Sequence, residues 1–201
     1  LWKSFQGKIR NQIRQAQQAC LTVEEGTADK LDDFYKVFVR NMRDLGTPVY
    51  PRRFFVSFLR LFPDRVRIFI VRHPNGRPAA GAFLVFHRGR TEVPWASSVE
   101  NFNPLRPNNL MYWTMIERAI ERGERCFDFG RSTEGGGTYR FKSGFGAKPH
   151  KSYWHYYLPE GGALPELNPD NPKFKMAIRI WRFLPVPVTR LVGPRIVRGL
   201  P

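Results

Sequence analysis

Cysteine is scarce in this chain of 201 residues, and so are clusters of metal-binding side chains. Its two cysteines, Cys20 and Cys126, both lie among apolar residues, a pattern typical of reduced, buried thiols in a cytoplasmic protein. No cysteine pair and no group among the four histidines has the spacing of metal ligands. We therefore predict no metal and no resident cofactor.

Acidic residues are fewer than basic ones: the chain has 17 Asp and Glu but 33 Lys and Arg, which gives a net charge of +16 and a pI near 10.5. Such a field favours polyanions, namely nucleic acid, phosphorylated nucleotides or an anionic membrane surface, and charge alone does not distinguish them. Apolar runs long enough to span a membrane are lacking. The 42% apolar and 14% aromatic content excludes global disorder.

The order of nucleophile, base and acid found in Ser-His-Asp enzymes is missing, and neither cysteine lies in a nucleophile context, so covalent catalysis is not expected. The chain starts with Leu1 rather than Met. We therefore expect a fragment whose upstream part is missing.

Short strands alternate with helices along the chain. Strands are predicted at 21–24, 66–73, 79–87, 91–97, 125–129 and 152–158, and helices over 3–19, 30–44, 51–62, 110–122 and around Phe141. Turn signals such as Asn75-Gly76 join the second, third and fourth strands into an antiparallel meander. Asn108 or Asn109 is the expected N-cap of the helix over 110–122.

The segment 126–146 concentrates the residues that carry chemistry. A strand containing one carboxylate, Asp128, is followed by a loop with three glycines and then by a turn with aromatic and cationic side chains; these residues are Gly135, Gly136, Gly137, Tyr139, Phe141 and Lys142. Glycine lets backbone N–H groups approach a ligand closely, so the segment is a candidate binding site. The alternative is that the glycines form only a flexible connection.

The motif Asp128-Phe129-Gly130, followed by Phe141-Lys142 and Gly146, resembles the D-F-G and F-K-x-x-[FW]-G signature of the FemAB-like transferases. The resemblance extends over most of residues 1–158 and includes the branch found with exopolysaccharide and protein-sorting loci. These proteins are built from GNAT-type acyltransferase domains and pass an aminoacyl or related acyl group to an amine, commonly on a cell-wall precursor. An α+β, GNAT-like fold is therefore implied, with a mixed, mostly antiparallel sheet flanked by helices. In that fold, strands 91–97 and 125–129 would splay apart to admit the acyl donor.

The resemblance also implies roles for individual residues. Phe141 and Lys142 match the family's catalytic pair, with the ring positioning the donor and the ammonium holding an anionic group. From the residues alone, Asp128 or Glu134 is a candidate proton acceptor, although an ion pair of Asp128 with Arg131 or Arg140 is the alternative. Donor contact is expected from the three glycines and Tyr139, while Ser97 either bonds the donor or only completes its strand.

The basic helix over 3–19 has two interpretations. Lys8, Arg10 and Arg14 form either a solvated basic face or, as in FemAB-like proteins, a site near the pyrophosphate of a nucleotide-linked acceptor. The resemblance implies that residues 1–20 join a missing N-terminal GNAT-like half to a GNAT-like domain at 21–158.

The acyl donor is predicted from a missing glycine loop. A GNAT enzyme that uses CoA has a glycine-containing loop before its central helix, whereas residues 99–110 contain no glycine. The missing loop makes acyl-CoA the less favoured donor. The FemAB resemblance implies aminoacyl-tRNA as the donor, which agrees with both the missing loop and the net charge.

Residues 159–201 form a Pro/Gly loop followed by a basic amphipathic tail. This tail is expected to lie on an anionic membrane, at the inner face of the plasma membrane, to pack on the missing half, or to pack within the chain. The preferred function is aminoacyl or acyl transfer to an amine on a nucleotide- or lipid-linked cell-envelope or exopolysaccharide precursor. The alternative is a non-catalytic basic module of the same fold that binds RNA or an anionic membrane.

Overall fold

The computed structural model describes residues 1–153, 155–158, 162 and 172–198 of the chain. Its strands are β1 (Thr22–Gly26), β2 (Val66–Arg72), β3 (Pro78–His87), β4 (Arg90–Ser98) and β5 (Cys126–Asp128). Its helices are α1 (Gly7–Gln18), α2 (Leu31–Leu45), α3 (Arg52–Leu61), α4 (Pro107–Glu121), α5 (Gly137–Gly144), α6 (Pro172–Phe183) and α7 (Val186–Val197).

The strands form one sheet in the order β1-β2-β3-β4-β5. The first four pair antiparallel: short turns join β2, β3 and β4, whereas α2 and α3 connect β1 to β2. Strand β5 joins β4 in parallel after the crossover through α4. The predicted α+β class with a mixed, mostly antiparallel sheet is confirmed.

Apolar side chains cover both faces of the sheet, so β2 is an almost continuous apolar run. Because neighbouring side chains on a strand point to opposite faces, Ile68 and Ile70 join one core while Phe69 and Val71 join the other. The first core is completed by α2 and α3, which supply Phe34, Phe38 and Phe55 among others. The second is completed by α1, α4 and α5.

The helix after β4 starts differently from the prediction. It begins at Pro107 with Arg106 as its N-cap, in a left-handed backbone conformation (φ 60°), so the expected cap at Asn108 or Asn109 is wrong. Proline favours the first helical position because its fixed φ suits a helix and the N–H it lacks is unpaired there in any case. Asn109 instead donates from inside the helix to Gln12 Oε1 of α1, at 3.1 Å.

Two further expectations are wrong. Residues 152, 153 and 155–158 form no strand, and Tyr153 and Tyr157 are strongly exposed. The edge that they would join, β5, is only three residues long and offers few hydrogen bonds to a further strand. Cys20 and Cys126 are exposed rather than buried, because each lies at the periphery of an element whose inward face is formed by its neighbours.

Helices α6 and α7 pack on α2 and on the chain that follows it. Trp181 of α6 is buried, and an added Cβ at Gly193 of α7 would lie 2.9 Å from the backbone nitrogen of Val49. This packing within the chain was one of the alternatives for the tail; its expected Pro/Gly loop lies mostly outside the described residues. Among the described helices, none combines the length and the apolar character needed to cross a membrane.

Candidate active site

The candidate site lies where β4 and β5 separate. Their parallel pairing joins Arg90 to Cys126, Thr91 to Phe127 and Glu92 to Asp128, and β4 then continues to Ser98 without a β5 partner among the described residues. The pairing of the two strands thus ends after three residues, which agrees with their expected divergence.

A β-bulge explains why the pairing stops. On the other side of β4, Phe83 pairs with Trp95 and Val85 with Glu92, so Val93 and Pro94 together oppose the single residue Leu84. A bulge bends and twists its strand, and Pro94 has no N–H to donate to a neighbour. On the β5 side, Gly130 turns the chain with a φ of 70°, and an added Cβ there would lie 3.1 Å from the carbonyl oxygen of Val93.

Lys142 of α5 lies at the opening and is 9% exposed. Its Nζ donates to the carbonyl oxygens of Gly130 and Arg131, at 3.0 and 2.8 Å. Burial lowers the pKa of Lys142, while the negative charge of Asp128 opposes that shift. The two bonds fix the backbone that follows β5. An ammonium has three N–H donors, so Lys142 keeps one donor beyond those used in these two bonds.

Asp128 accepts bonds through both carboxylate oxygens. Arg90 Nη1 donates to Oδ2 at 3.0 Å, and the backbone N–H of Gly130 donates to Oδ1 at 2.8 Å. The ion-pair partner of Asp128 is therefore Arg90 of β4, rather than Arg131 or Arg140 as considered from the sequence. These contacts join the end of β5 to the start of β4 and shape the turn at Gly130.

Phe141 packs into an aromatic cluster beneath the opening. Its ring lies 5.2 Å from that of Tyr112 and 5.3 Å from that of Phe145, and Tyr112 stacks on Phe129 at 5.5 Å. Burial raises the pKa of Tyr112 to about 12. The ring of Phe141 is partly buried, so it anchors α5 to α4 while leaving part of its surface for a ligand.

The three glycines lie at the start of α5. Gly136 is its N-cap, and Gly135 has a φ of 73°; an added Cβ at Gly135 or Gly137 would meet no atom within 4 Å. The loop is thus largely exposed, and Tyr139, on the first turn of α5, is half-buried. Lys142 and these glycines belong to the same short segment, so this segment could supply both to a bound ligand.

Two of the three α1 cations already have contacts. Arg10 Nη1 donates to the carbonyl of Lys3 at 2.8 Å, and the Arg14 guanidinium lies 5.8 Å from the centre of the Trp2 ring, while Lys8 is exposed. The helix also supports α5 directly, because an added Cβ at Gly144 would lie 2.7 Å from Ile9.

Serine hydroxyls near the end of β4 are bonded within the protein. Ser97 is buried and accepts a bond from Asn41 Nδ2 of α2 at 3.2 Å. The neighbouring Ser98 Oγ donates to Asn103 Oδ1 at 2.9 Å and accepts from Asn108 Nδ2 at 3.1 Å. These bonds order the connection between β4 and α4.

Sequence reasoning missed four residues at this site. Arg90, Asn41 and Tyr112 each hold a predicted residue through a contact that depends on the tertiary fold. The fourth, Pro94, was visible in the sequence as a proline inside a strand, which is a known sign of a bulge or an edge.

A shallow cavity of about 580 Å³ lies elsewhere. It is lined by Glu25, Gly26, Thr27, Arg67, Arg118, Glu121 and Arg122. Because Gly26 belongs to β1, this cavity lies at the β1 edge of the sheet, whereas the opening lies at the β5 edge. Its carboxylates are ion-paired: Arg118 contacts both Glu25 and Glu121.

The family described as Acetyltransferase (GNAT) domain matches residues 3–143. The chain therefore belongs to this family, and the predicted GNAT-like fold is confirmed. Solved structures agree: the chain matches AAC(6')-Iy, determined with a bisubstrate analogue, with a TM-score of 0.54 at 12% identity over 69% of this chain and 98% of that one.

Within this class the chain is similar to FemAB-type transferases, in agreement with the resemblance of its motif. Lipid II:glycine glycyltransferase of Staphylococcus haemolyticus (strain JCSC1435) is 27% identical over 97 residues, which is 48% of this chain and 23% of that protein. The Staphylococcus aureus enzyme of the same name is 30% identical over 88 residues, 44% of this chain and 20% of its own length. FemX matches with a TM-score of 0.62 at 17% identity, covering 71% of this chain and 53% of FemX. The matched part thus spans about a fifth of the curated relatives.

Proposed function

We propose that this domain transfers an aminoacyl group from aminoacyl-tRNA to an amine on a nucleotide- or lipid-linked cell-envelope precursor. The observation that supports this most is the buried cation of Lys142 at the opening between β4 and β5. Relatives named as acting on lipid II make a peptidoglycan precursor the preferred acceptor class. An exopolysaccharide precursor is the second candidate.

Aminolysis of an ester requires stabilisation of the carbonyl oxygen as it gains charge. Lys142 provides a positive charge at the opening, in a place where burial strengthens its field. In this proposal Lys142 stabilises the developing oxyanion or binds a phosphate of the donor, and Phe141 positions the donor. Asp128 is assigned to shaping the turn through Gly130 and to drawing the proton from the incoming amine. As the new amide bond forms, the ester C–O bond breaks and that proton passes to the departing ribose oxygen of the tRNA.

We propose that the cations of α1 bind the acceptor. The exposed ammonium of Lys8 and the guanidinium groups of Arg10 and Arg14 suit the pyrophosphate of a nucleotide- or lipid-linked molecule. With a lipid-linked acceptor, the protein would work at the inner face of the plasma membrane, and an N-terminal half would complete the acceptor site.

The N-terminus of α4 supports an RNA-borne donor over acyl-CoA. A pyrophosphate cradle uses several free backbone N–H groups. Here Pro107 has none, and the N–H of Asn109 donates to the carbonyl of Arg106 at 3.1 Å. The net charge of +16 suits RNA.

The donor is tested by titrating the protein with acetyl-CoA and with aminoacylated tRNA at several salt concentrations. We expect aminoacyl-tRNA to bind with a steep salt dependence and acetyl-CoA to show no saturable binding. Micromolar binding of acetyl-CoA that survives moderate salt would overturn the RNA-borne donor. Tight RNA binding without transfer to any envelope precursor, by the complete protein, would favour the non-catalytic alternative.

A further inference from the structure

Helices α6 and α7 carry an exposed apolar surface, here called the outer face, formed by Met176, Ile180, Phe183, Val188 and Leu191. Met176 is 64% exposed, Phe183 80% and Leu191 70%. Their spacing explains this, since residues 176, 180 and 183 lie three and four apart and share one side of α6. Single exposed apolar residues are ordinary, whereas several of them on two consecutive helices indicate a binding surface.

The outer face is separate from the face that holds these helices to the protein. Trp181 of α6 and Thr189 and Gly193 of α7 are buried on the inner side. Arg182 further fastens α6 by donating to the carbonyl of Leu45 at 3.3 Å. Because the inner side already anchors the helices, the outer face contributes little to the fold.

Charge identifies what this surface contacts. From residue 171 to the end, the sequence has seven Lys and Arg and no Asp or Glu. Arg179 is exposed beside the apolar residues of α6, and Arg195 and Arg198 are exposed on α7 near Leu191. Interfaces between proteins are poor in Lys and mixed in sign at their rims, whereas helices with an apolar strip flanked by cations are typical of anionic bilayer surfaces.

A cavity beside α7 adds to the positive surface. It has a volume of about 350 Å³ and is lined by Asp32, Tyr35, Lys36, Pro51, Arg52, Arg190 and Pro194. Three of these residues are cations, but Arg52 is paired with Asp32 at 2.8 Å and Lys36 with Asp33 at 3.3 Å, so the excess charge of the lining is that of Arg190. The excess charge suits a phosphate of a lipid headgroup.

We propose that α6 and α7 dock the protein on an anionic phospholipid bilayer, with the outer face at the boundary of headgroups and acyl chains and the flanking arginines on lipid phosphates. This deepens the proposed function, because a lipid-linked acceptor lies in the same surface. The proposal concerns lipid binding itself, so it can fail while the transfer reaction stands, and the reverse.

The test is co-sedimentation of the protein with vesicles of phosphatidylglycerol and phosphatidylcholine, and with vesicles of phosphatidylcholine alone. Binding is expected only with the anionic lipid and is expected to weaken as salt increases. The double variant Phe183→Ser, Leu191→Ser should bind at least about tenfold more weakly. Each of Arg179→Gln and Arg195→Gln should weaken binding on the order of fivefold.

Matched controls are Leu61→Ser and Arg60→Gln, which change an exposed apolar and an exposed basic side chain on α3. They should bind like the unmodified protein, and all variants should melt at its temperature. No binding to the anionic vesicles, equal loss in the α3 controls, or a dimer that the double variant dissociates in place of vesicle binding would each overturn the proposal.

Discussion

Strand β4 pairs with β3 from one end to the other, but with β5 over only three residues. On the β3 side, apolar side chains fill both faces and the backbone groups bond to each other. On the β5 side, a bulge at Val93 and Pro94 ends the pairing, and the carbonyls of Gly130 and Arg131 bond to Lys142 instead. The β3 side of β4, here called the closed side, thus supplies stability. The β5 side, here called the open side, leaves an opening beside which the ammonium of Lys142 lies.

If this division is right, removal of the Lys142 charge should affect catalysis more than stability. Lys142→Ala should slow single-turnover transfer about 100- to 1,000-fold, or roughly 3–4 kcal/mol of barrier, because it removes charge from the developing oxyanion. Lys142→Arg should restore part of the rate, since it keeps the charge with a larger, planar donor.

The control for this pair is Lys148→Ala, an exposed lysine after α5. It should transfer at the normal rate. An alanine variant of Lys142 that also transfers at the normal rate, with a normal melting temperature, would remove Lys142 from the mechanism.

The turn at the open end can be tested with two glycines of similar backbone conformation. Gly130 and Gly135 have φ angles of 70° and 73°, but only at Gly130 would an added Cβ meet the carbonyl oxygen of Val93, at 3.1 Å. Gly135→Ala should cost about 1 kcal/mol of unfolding free energy and Gly130→Ala about 2 kcal/mol. Urea unfolding measures both, and equal costs would contradict the close approach of the two strands.

On the closed side, Arg72 joins β1, β2 and α2. Its guanidinium donates to Glu24 and to Asp33, at 2.6 Å each, and the hydrogen bond from Arg72 is the largest cause that lowers the pKa of Glu24 to about 2. A depressed carboxyl pKa adds stability that is present above about pH 4.5 and is lost as the pH falls toward 2.

Arg72→Gln should therefore lower the unfolding free energy by about 1 kcal/mol at pH 7, a value limited by solvent exposure, and by much less at pH 2. Arg52→Gln breaks the exposed pair with Asp32 and should change stability by less than about 0.5 kcal/mol at either pH. Chemical unfolding at both pH values measures this. A loss for Arg72→Gln that does not depend on pH would contradict the ion-pair explanation.

Much of the closed side could be predicted from the sequence, because its turns and its apolar periods depend on residues close together in the chain. The turn at Asn75-Gly76 and the apolar periods of α2 and α3 gave the meander and its covering helices. The apolar period of α4 predicts that Ile120 faces inward together with Leu110 and Ile116, but Ile120 is 55% exposed. Periodicity gives a helix face only to within about one residue, which explains this error.

The candidate site was predictable only in part. The Phe141-Lys142 motif located α5, yet the carbonyl partners of Lys142, the Arg90 partner of Asp128 and the Tyr112 stack all join residues distant in sequence. Such contacts depend on the crossover through α4, which no local pattern describes. The N-terminal half and the domain boundaries at 1–20 and 21–158 stay predictions.

The central claim is that the donor binds in the opening between β4 and β5. The most direct test is amide NMR during titration with an amide-linked, non-hydrolysable aminoacyl-adenosine, which represents the reactive end of aminoacyl-tRNA. We expect the largest shifts at residues 95–98 and 130–137, with little change at Gly26, Arg67 and Arg118 around the cavity at the opposite edge of the sheet. Shifts concentrated at that cavity, with the opening unaffected, would contradict the account.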